Sequence, residues 1–264
     1  MKAISQLPSD KHSCSPLGLT TKKTDSVQTG WRLIFDLSAP SRRSVNDGIP
    51  KGYGAISYES LAYAIKLVQE HGKGCKMIKR DLKSAFRHIP VAASDYWLLI
   101  FEWEGQYYVD MCLPFGLRTA PRIFNLFAEA IHWILASLHR WSLSHYPDDF
   151  FAVFPLGTNL TEKSEQFDKV INQLGFTKAI DKDEEGTTVM HLGFEIDSEA
   201  MEVRLSQNKR DRAIKAITTL THKSSITFKQ ADELLGFLSH CCQIISLGRS
   251  FLRSSFSFHR AVGR

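Results

Sequence analysis

At 264 residues, 43% of them hydrophobic and 23% charged, the chain can bury a sizeable core in one large domain, or in one domain with a small appendage. That composition excludes collagen-like, low-complexity and disordered proteins, and no internal repeat stands out. The net charge of +5 is unevenly placed: residues 1–43 hold seven basic against three acidic groups, residues 205–264 ten against three, and residues 44–204 sixteen against twenty-two.

In chain order, Lys22-Lys23 lead into a strand over residues 31–37. Leu61, Ala64, Ile65 and Val68 then fall at helical spacing behind Ser57 as N-cap, and Gly72 and Gly74 end that helix. Residues 96–101 and 106–111 flank Glu102-Trp103-Glu104-Gly105 and read as a hairpin. Pro121 opens a helix carrying Phe124, Phe127, Ile131, Ile134 and Leu138. Another helix carries Phe167, Val170, Ile171 and Leu174, and Gly175 closes it. Short strands are expected at 194–196 and 203–205. Beyond them the pattern is helical: residues 208–220, then the capping box Thr227-Phe228-Lys229-Gln230 opening a helix through Leu238. The fold class is therefore α+β with a small basic helical piece behind it.

Basic ends around an acidic middle suit a protein that grips a polyanion at its flanks and holds cations at its centre. Solvated helix faces explain the basic ends equally well. Cys14, Cys75, Cys112, Cys241 and Cys242 are odd in number and lack Cys-x-x-Cys spacing. That argues against a disulfide framework or a zinc site, and for a reducing, intracellular setting in cytoplasm or nucleus rather than secretion. No apolar run approaches a membrane span, and no signal-peptide core begins the chain.

The chemistry centres on Tyr146-Pro147-Asp148-Asp149-Phe150, two adjacent carboxylates between two β-prone runs. The pattern reads as a hairpin with like charges at its tip, which a bound cation would relieve. Asp81 follows another strand-like run, Cys75-Lys76-Met77-Ile78, and is the candidate third acid. Three carboxylates on neighbouring strand ends are what two-metal phosphoryl transfer needs. Taken alone, an Asp-Asp pair is more often a solvated turn.

Five segments change that balance. Arg32-Leu33-Ile34-Phe35-Asp36-Leu37, Asp81-Leu82-Lys83-Ser84-Ala85-Phe86, Leu113-Pro114-Phe115-Gly116-Leu117-Arg118-Thr119-Ala120-Pro121, Tyr146-Pro147-Asp148-Asp149 and His191-Leu192-Gly193-Phe194 resemble, in order, successive motifs of retroelement reverse transcriptases. The resemblance covers about residues 16–250. Ser44-Val45-Asn46-Asp47 and Met201-Glu202-Val203-Arg204-Leu205 look most like retrotransposons that carry a tyrosine recombinase, the DIRS-like group.

The resemblance implies a right-hand polymerase core: partial fingers and an α+β palm within residues 1–204, and a helical thumb over residues 205–264. It implies RNA-directed DNA synthesis from a primer on an RNA or DNA template, with dNTP substrates and two Mg²⁺ ions, Mn²⁺ being the substitute. Asp81, Asp148 and Asp149 match the metal-binding carboxylates, and the Leu82 carbonyl matches a further ligand. Phe86 matches the steric gate against a ribose 2′-hydroxyl. Phe115 and Gly116 match the segment packed on the incoming nucleotide, where glycine permits close approach. Arg32 and Lys23 match basic groups against the triphosphate, with Lys22 an equal candidate for the second. Lys182 matches a lysine near the pyrophosphate, with a solvated loop lysine as the equal alternative. Leu192-Gly193 matches the turn that braces the primer end. Phe86 and the Leu-Pro-Phe-Gly segment argue against an RNA-dependent RNA polymerase. No membrane partner is expected, and the oligomeric state is left open.

Two departures accompany the resemblance. Pro147 stands where the family's hairpin places a residue at positive φ, and proline is locked near −65°. Either the turn type differs, or the acids are mis-aimed and the chain is an inactive nucleic-acid-binding remnant. The segment also starts just ahead of Lys22-Lys23 and ends after a minimal thumb without a ribonuclease H segment. That reads as a piece of a longer polyprotein or a decaying genomic copy.

Overall fold

The computed structural model describes residues 1–5, 7, 12–24, 27–222, 225–245 and 247–262. After β1 (Lys2–Ile4), β2 (Leu17–Thr24) and β3 (Val27–Phe35) form a two-stranded ribbon. α1 (Leu61–His71) leads into β4 (Lys76–Asp81), followed by β5 (Ile100–Trp103) and β6 (Gln106–Val109). Next come α2 (Ala120–Trp133), β7 (Ser142–Tyr146), β8 (Asp149–Phe154), α3 (Leu160–Gln173) and β9 (Glu184–Gly186). β10 (Thr188–His191), β11 (Phe194–Asp197) and β12 (Glu202–Leu205) form a meander, and α4 (Gln207–Thr221), α5 (Phe228–Cys241) and α6 (Gly248–Val262) complete the described chain. The α+β expectation holds: the sheets pair antiparallel throughout.

The central sheet has the order β7-β8-β4-β9. Its alternation decides what lies on each face. Ile78, Phe150, Ala152 and Phe154 turn toward one core, shared with Phe124, Ile131, Phe167 and Ile171 of α2 and α3. Met77, Phe151 and Val153 turn toward a second core, shared with Leu61, Ala64 and Val68 of α1 and with Val189, Phe194 and Ile196. Both faces are covered, which explains the nearly continuous apolar run of β8. Beyond α2 one widened turn, residues 134–138, buries Leu135 before the chain reverses.

Several boundaries differ from expectation. Ser60, not Ser57, takes the N-cap position of α1, without a side-chain hydrogen bond, and the helix ends at Gly72 with φ 80°. Residues 96–98 belong to a 3-10 turn, and the following hairpin is tighter because Glu104 and Gly105 both take positive φ (51° and 74°), leaving Glu102 and Trp103 in β5. Lys22 and Lys23 lie within β2, a strand the sequence pattern did not announce, and β3 runs 27–35 rather than 31–37. The Thr227/Gln230 capping box forms as written, at the start of α5. The five cysteines are free, and among the described residues no helix is long and apolar enough to cross a membrane.

Candidate active site

Asp81 is the last residue of β4 and Asp149 the first of β8, and the two are directly paired. One residue on, the Leu82 amide donates to the Asp148 carbonyl at 2.9 Å, so the hairpin turn hangs on the end of β4. Leu82 buries its side chain beneath. Side chains alternate along a strand, so Asp81, Lys79 and Asp149 share the face of the second core. The Phe151–His191 stack, at 4.6 Å between ring centroids, floors that face.

The turn has two residues, Pro147 and Asp148, between the paired Tyr146 and Asp149. Neither takes positive φ. The hairpin closes without positive φ, so its turn type differs from the one the resemblance implies.

The electrostatics are those of a crowded anionic site. Burial pushes the Asp149 carboxyl up to about 7; Lys79 opposes this, while Asp81 and Asp148 add to it. Burial, then Asp81, also raises Asp148. Lys182 donates to Asp81 Oδ2 at 2.8 Å. His191 Nδ1 lies 3.9 Å from Asp149 Oδ2, and burial pushes its imidazole down to about 4. Asp81 Oδ1 and Asp149 Oδ1 are buried without a hydrogen-bond partner. Unsatisfied buried carboxylate oxygens are costly. Hard oxygen donors with no protein partner fit a divalent cation of the Mg²⁺ type.

Beside the acids, Ser84 at φ 53° turns the chain into a 3-10 turn that places Phe86. The Phe86 ring packs 4.9 Å from Phe115 and 5.5 Å from Phe124. Phe115 is 54% exposed, so the Phe86–Phe115 pair is open on one side. Gly116 takes φ 104°, and a Cβ there would stand 2.4 Å from the Phe35 carbonyl oxygen. Its glycine is thus required by the passing β3 backbone, a reason different from approach to a nucleotide. Buried Asn46 clamps this loop: Nδ2 donates to Gly116 O at 2.8 Å, and Oδ1 accepts from the Arg118 amide at 2.7 Å. Arg87 grips buried Asp110 at 2.6 and 2.7 Å.

The basic candidates divide. Lys182 joins the acids, through Asp81. Arg32 stands exposed on β3 opposite Thr20, on the separate ribbon. Lys23 pairs through its backbone with Gln28, and its side chain lies outside the described residues. Leu192 and Gly193 form the β10–β11 turn at φ 48° and 80°. A Cβ at Gly193 would stand 2.0 Å from Lys209 Nζ, so here glycine makes room for a side chain rather than for backbone.

Sequence reasoning missed Asn46, Arg80, Lys79 and His191 as parts of the site. Lys79 was readable, since it stands two residues before Asp81 on a strand. Buried Arg80 points to the opposite face, where it donates to the Glu184 carbonyl at 3.0 Å and pairs with Glu185, fixing the segment that carries Lys182.

A strand-end acid thus stands opposite an acidic hairpin, with an aromatic pair beside them. Residues 21–196 match the family described as reverse transcriptase (RNA-dependent DNA polymerase). The chain belongs to the reverse transcriptase family. It is 32% identical over 191 residues to Protein P of Heron hepatitis B virus, covering 70% of this chain and 23% of that protein. Protein P of Duck hepatitis B virus (strain Germany/DHBV-3) is 28% identical over 196 residues, 73% and 24% of the two. The chain therefore spans about a quarter of the length of these curated relatives. In fold it is similar to the foamy viral protease-reverse transcriptase dRH in complex with double-stranded DNA, at TM-score 0.68 and 20% identity, covering 92% of this chain and 38% of that one. It is also similar to the foamy viral protease-reverse transcriptase in complex with an RNA/DNA hybrid, at TM-score 0.64 and 20% identity, covering 94% and 30%.

Proposed function

We propose that this chain carries RNA-directed DNA polymerase activity, adding dNTPs to a primer on an RNA or DNA template. The observation that carries the reading is the meeting of Asp81, Asp148 and Asp149 at one strand junction with two buried, unpartnered oxygens. Two Mg²⁺ ions, when bound, would activate the primer 3′-hydroxyl and stabilise the pyrophosphate leaving group. Asp81, Asp148 and Asp149, with the Leu82 carbonyl, would hold them. Lys182, already beside Asp81, supplies positive charge where the leaving group forms. Phe86 excludes a 2′-hydroxyl by shape, with Phe115 completing the pocket wall. Arg32, Lys23 and the Gly116 loop serve the triphosphate side. Residues 1–204 act as fingers and palm and residues 205–264 as thumb. Ser44-Val45-Asn46-Asp47 and Met201-Glu202-Val203-Arg204-Leu205 support an origin in a DIRS-like retrotransposon.

The rival reading, an inactive nucleic-acid-binding remnant, rested on Pro147. A hairpin closed without positive φ, with Tyr146 still opposite Asp149, favours the working enzyme. Primer extension on poly(rA)/oligo(dT), with Mg²⁺ and then Mn²⁺, tests the choice. Wild type extends; Asp81→Asn or Asp148→Asn loses several orders of magnitude in rate and keeps duplex binding. Binding without extension by wild type would leave the remnant.

A further inference from the structure

We propose that Glu59, His132 and His145 form a site for a borderline transition-metal cation, Zn²⁺ first, on the flank of the acidic hairpin. The three come from separate elements: the segment ahead of α1, the last turn of α2, and β7. One ligand atom from each lies within 4.8 Å of the other two. The site is independent of the polymerase reading.

The core of the site is an unusual contact. His132 Nδ1 and His145 Nδ1 face each other at 2.9 Å. Two imidazoles meeting this way share one proton between two lone pairs. In a tetrahedral zinc site with Zn–N bonds of about 2.0–2.1 Å, neighbouring ligand atoms stand about 3.3 Å apart. A few tenths of an ångström of separation, with a tilt of the two rings, therefore brings both lone pairs onto one ion. The shared proton moves to an Nε2, each ring stays neutral, and no co-reactant is needed. Burial already holds both histidines in the neutral, metal-binding form, His145 at about 4.

Glu59 supplies the oxygen donor, held in place because its Oε2 accepts the His145 amide at 2.9 Å. The three line a cavity of about 420 Å³ with Tyr58, Asn125 and Glu129. That volume admits a solvent molecule as fourth ligand. Two imidazoles, a carboxylate and an open position are a zinc donor set. Mg²⁺ prefers all-oxygen ligands, so the acids and this site discriminate by chemistry. The bound ion would tie α2 and the segment before α1 to β7, one residue before Tyr146, whose ring sits 4.5 Å from Tyr58.

The test uses the tag-free whole chain, stripped with chelator and held in excess Mg²⁺ to occupy the acids. Titration with Co²⁺ is read by visible d–d absorption, and with Zn²⁺ by calorimetry. Wild type and Asp148→Asn should each take up one equivalent, and His132→Gln/His145→Gln none. Glu59→Gln, which leaves the imidazole pair intact, should weaken Zn²⁺ binding roughly tenfold or more and serves if the double variant fails to fold. Zn²⁺ should raise the thermal midpoint of wild type and of Asp148→Asn, and leave that of the histidine double variant unchanged. Equal uptake by wild type and the histidine double variant, equal Zn²⁺ affinity in wild type and Glu59→Gln, or no uptake by wild type, would overturn the site and leave a plain histidine–histidine hydrogen bond.

Discussion

Asp149 is the acid whose surroundings differ most from water. Its carboxyl titrates at about 7 against an ordinary 3.8, so metal-free folded protein keeps a proton that the unfolded chain has released. The sign follows: this contribution is present below pH 4 and is lost as pH rises through 7. In chelator, Asp149→Asn should gain on wild type from pH 4 to pH 8 by about 2–4 kcal/mol, measured by urea unfolding. His145 and His191, both held at about 4, act in the opposite direction. His145 is common to both proteins and cancels in the difference; His191, 3.9 Å from Asp149 Oδ2, is coupled to it, so the comparison is made in a His191→Gln background. A gap that does not change with pH would mean Asp149 is ionised throughout. Phe86 makes the second prediction at this scale. Phe86→Val should raise ribonucleotide over deoxynucleotide insertion roughly tenfold or more, read as single-nucleotide rates, and cost about 1–2 kcal/mol through the lost Phe124 contact. An unchanged ratio in an active variant would reduce Phe86 to packing.

Among the elements, the hairpin is where expectation and structure part most instructively. Proline bars the positive φ that two-residue hairpin turns favour, yet Tyr146 pairs with Asp149 and the Leu82 amide anchors the Asp148 carbonyl. Tertiary anchoring, not turn chemistry, sets the register. Pro147→Val should therefore leave primer extension within about threefold and cost about 0.4–1 kcal/mol, chiefly through a freer unfolded chain. A large gain in activity would revive the strained-turn reading. The acids, the helices of the first core and the capping box of α5 were legible because each is written locally, by spacing or by cap residues. β2 was not, since Gly18, Thr20 and Lys22 alternate with Leu19, Thr21 and Lys23 without an apolar face. Asn46 was quoted only as a family detail, because a buried amide bridging 70 residues leaves no local signal. Glu59, His132 and His145 leave no local signal for the same reason: they stand far apart in the chain and meet only in the fold.

At the scale of the whole molecule, the basic C-terminal helices divide between surface and joint. Arg210, Arg212 and Lys215 are exposed on α4. Lys209, which the sequence groups with them, is instead spent inside: it donates to Gly193 O at 2.9 Å and meets His240 Nε2 at 3.0 Å above the Phe194 ring. Neutralising the exposed three should weaken RNA–DNA duplex binding across sequences and flatten the slope of log affinity against log salt by about 0.9 per lost contact. A slope equal to wild type would place the nucleic acid elsewhere. Few groups of α4–α6 are buried, with Leu235 and Cys241 the apolar ones among the described residues, and the Lys209 joint, with the His240 ring stacked on Phe194, ties α4 and α5 to the β10–β11 turn. An ammonium can only donate, so His240 must offer a lone pair, which it does only while neutral. Burial and then Lys209 hold its pKa below the ordinary range, so the joint's contribution is present above about pH 6.5 and fails as acid protonates the ring. The helices are thus pinned by a proton-sensitive rivet. Acidification should loosen α4 in hydrogen exchange well before the central sheet opens, and His240→Gln should remove that acid dependence.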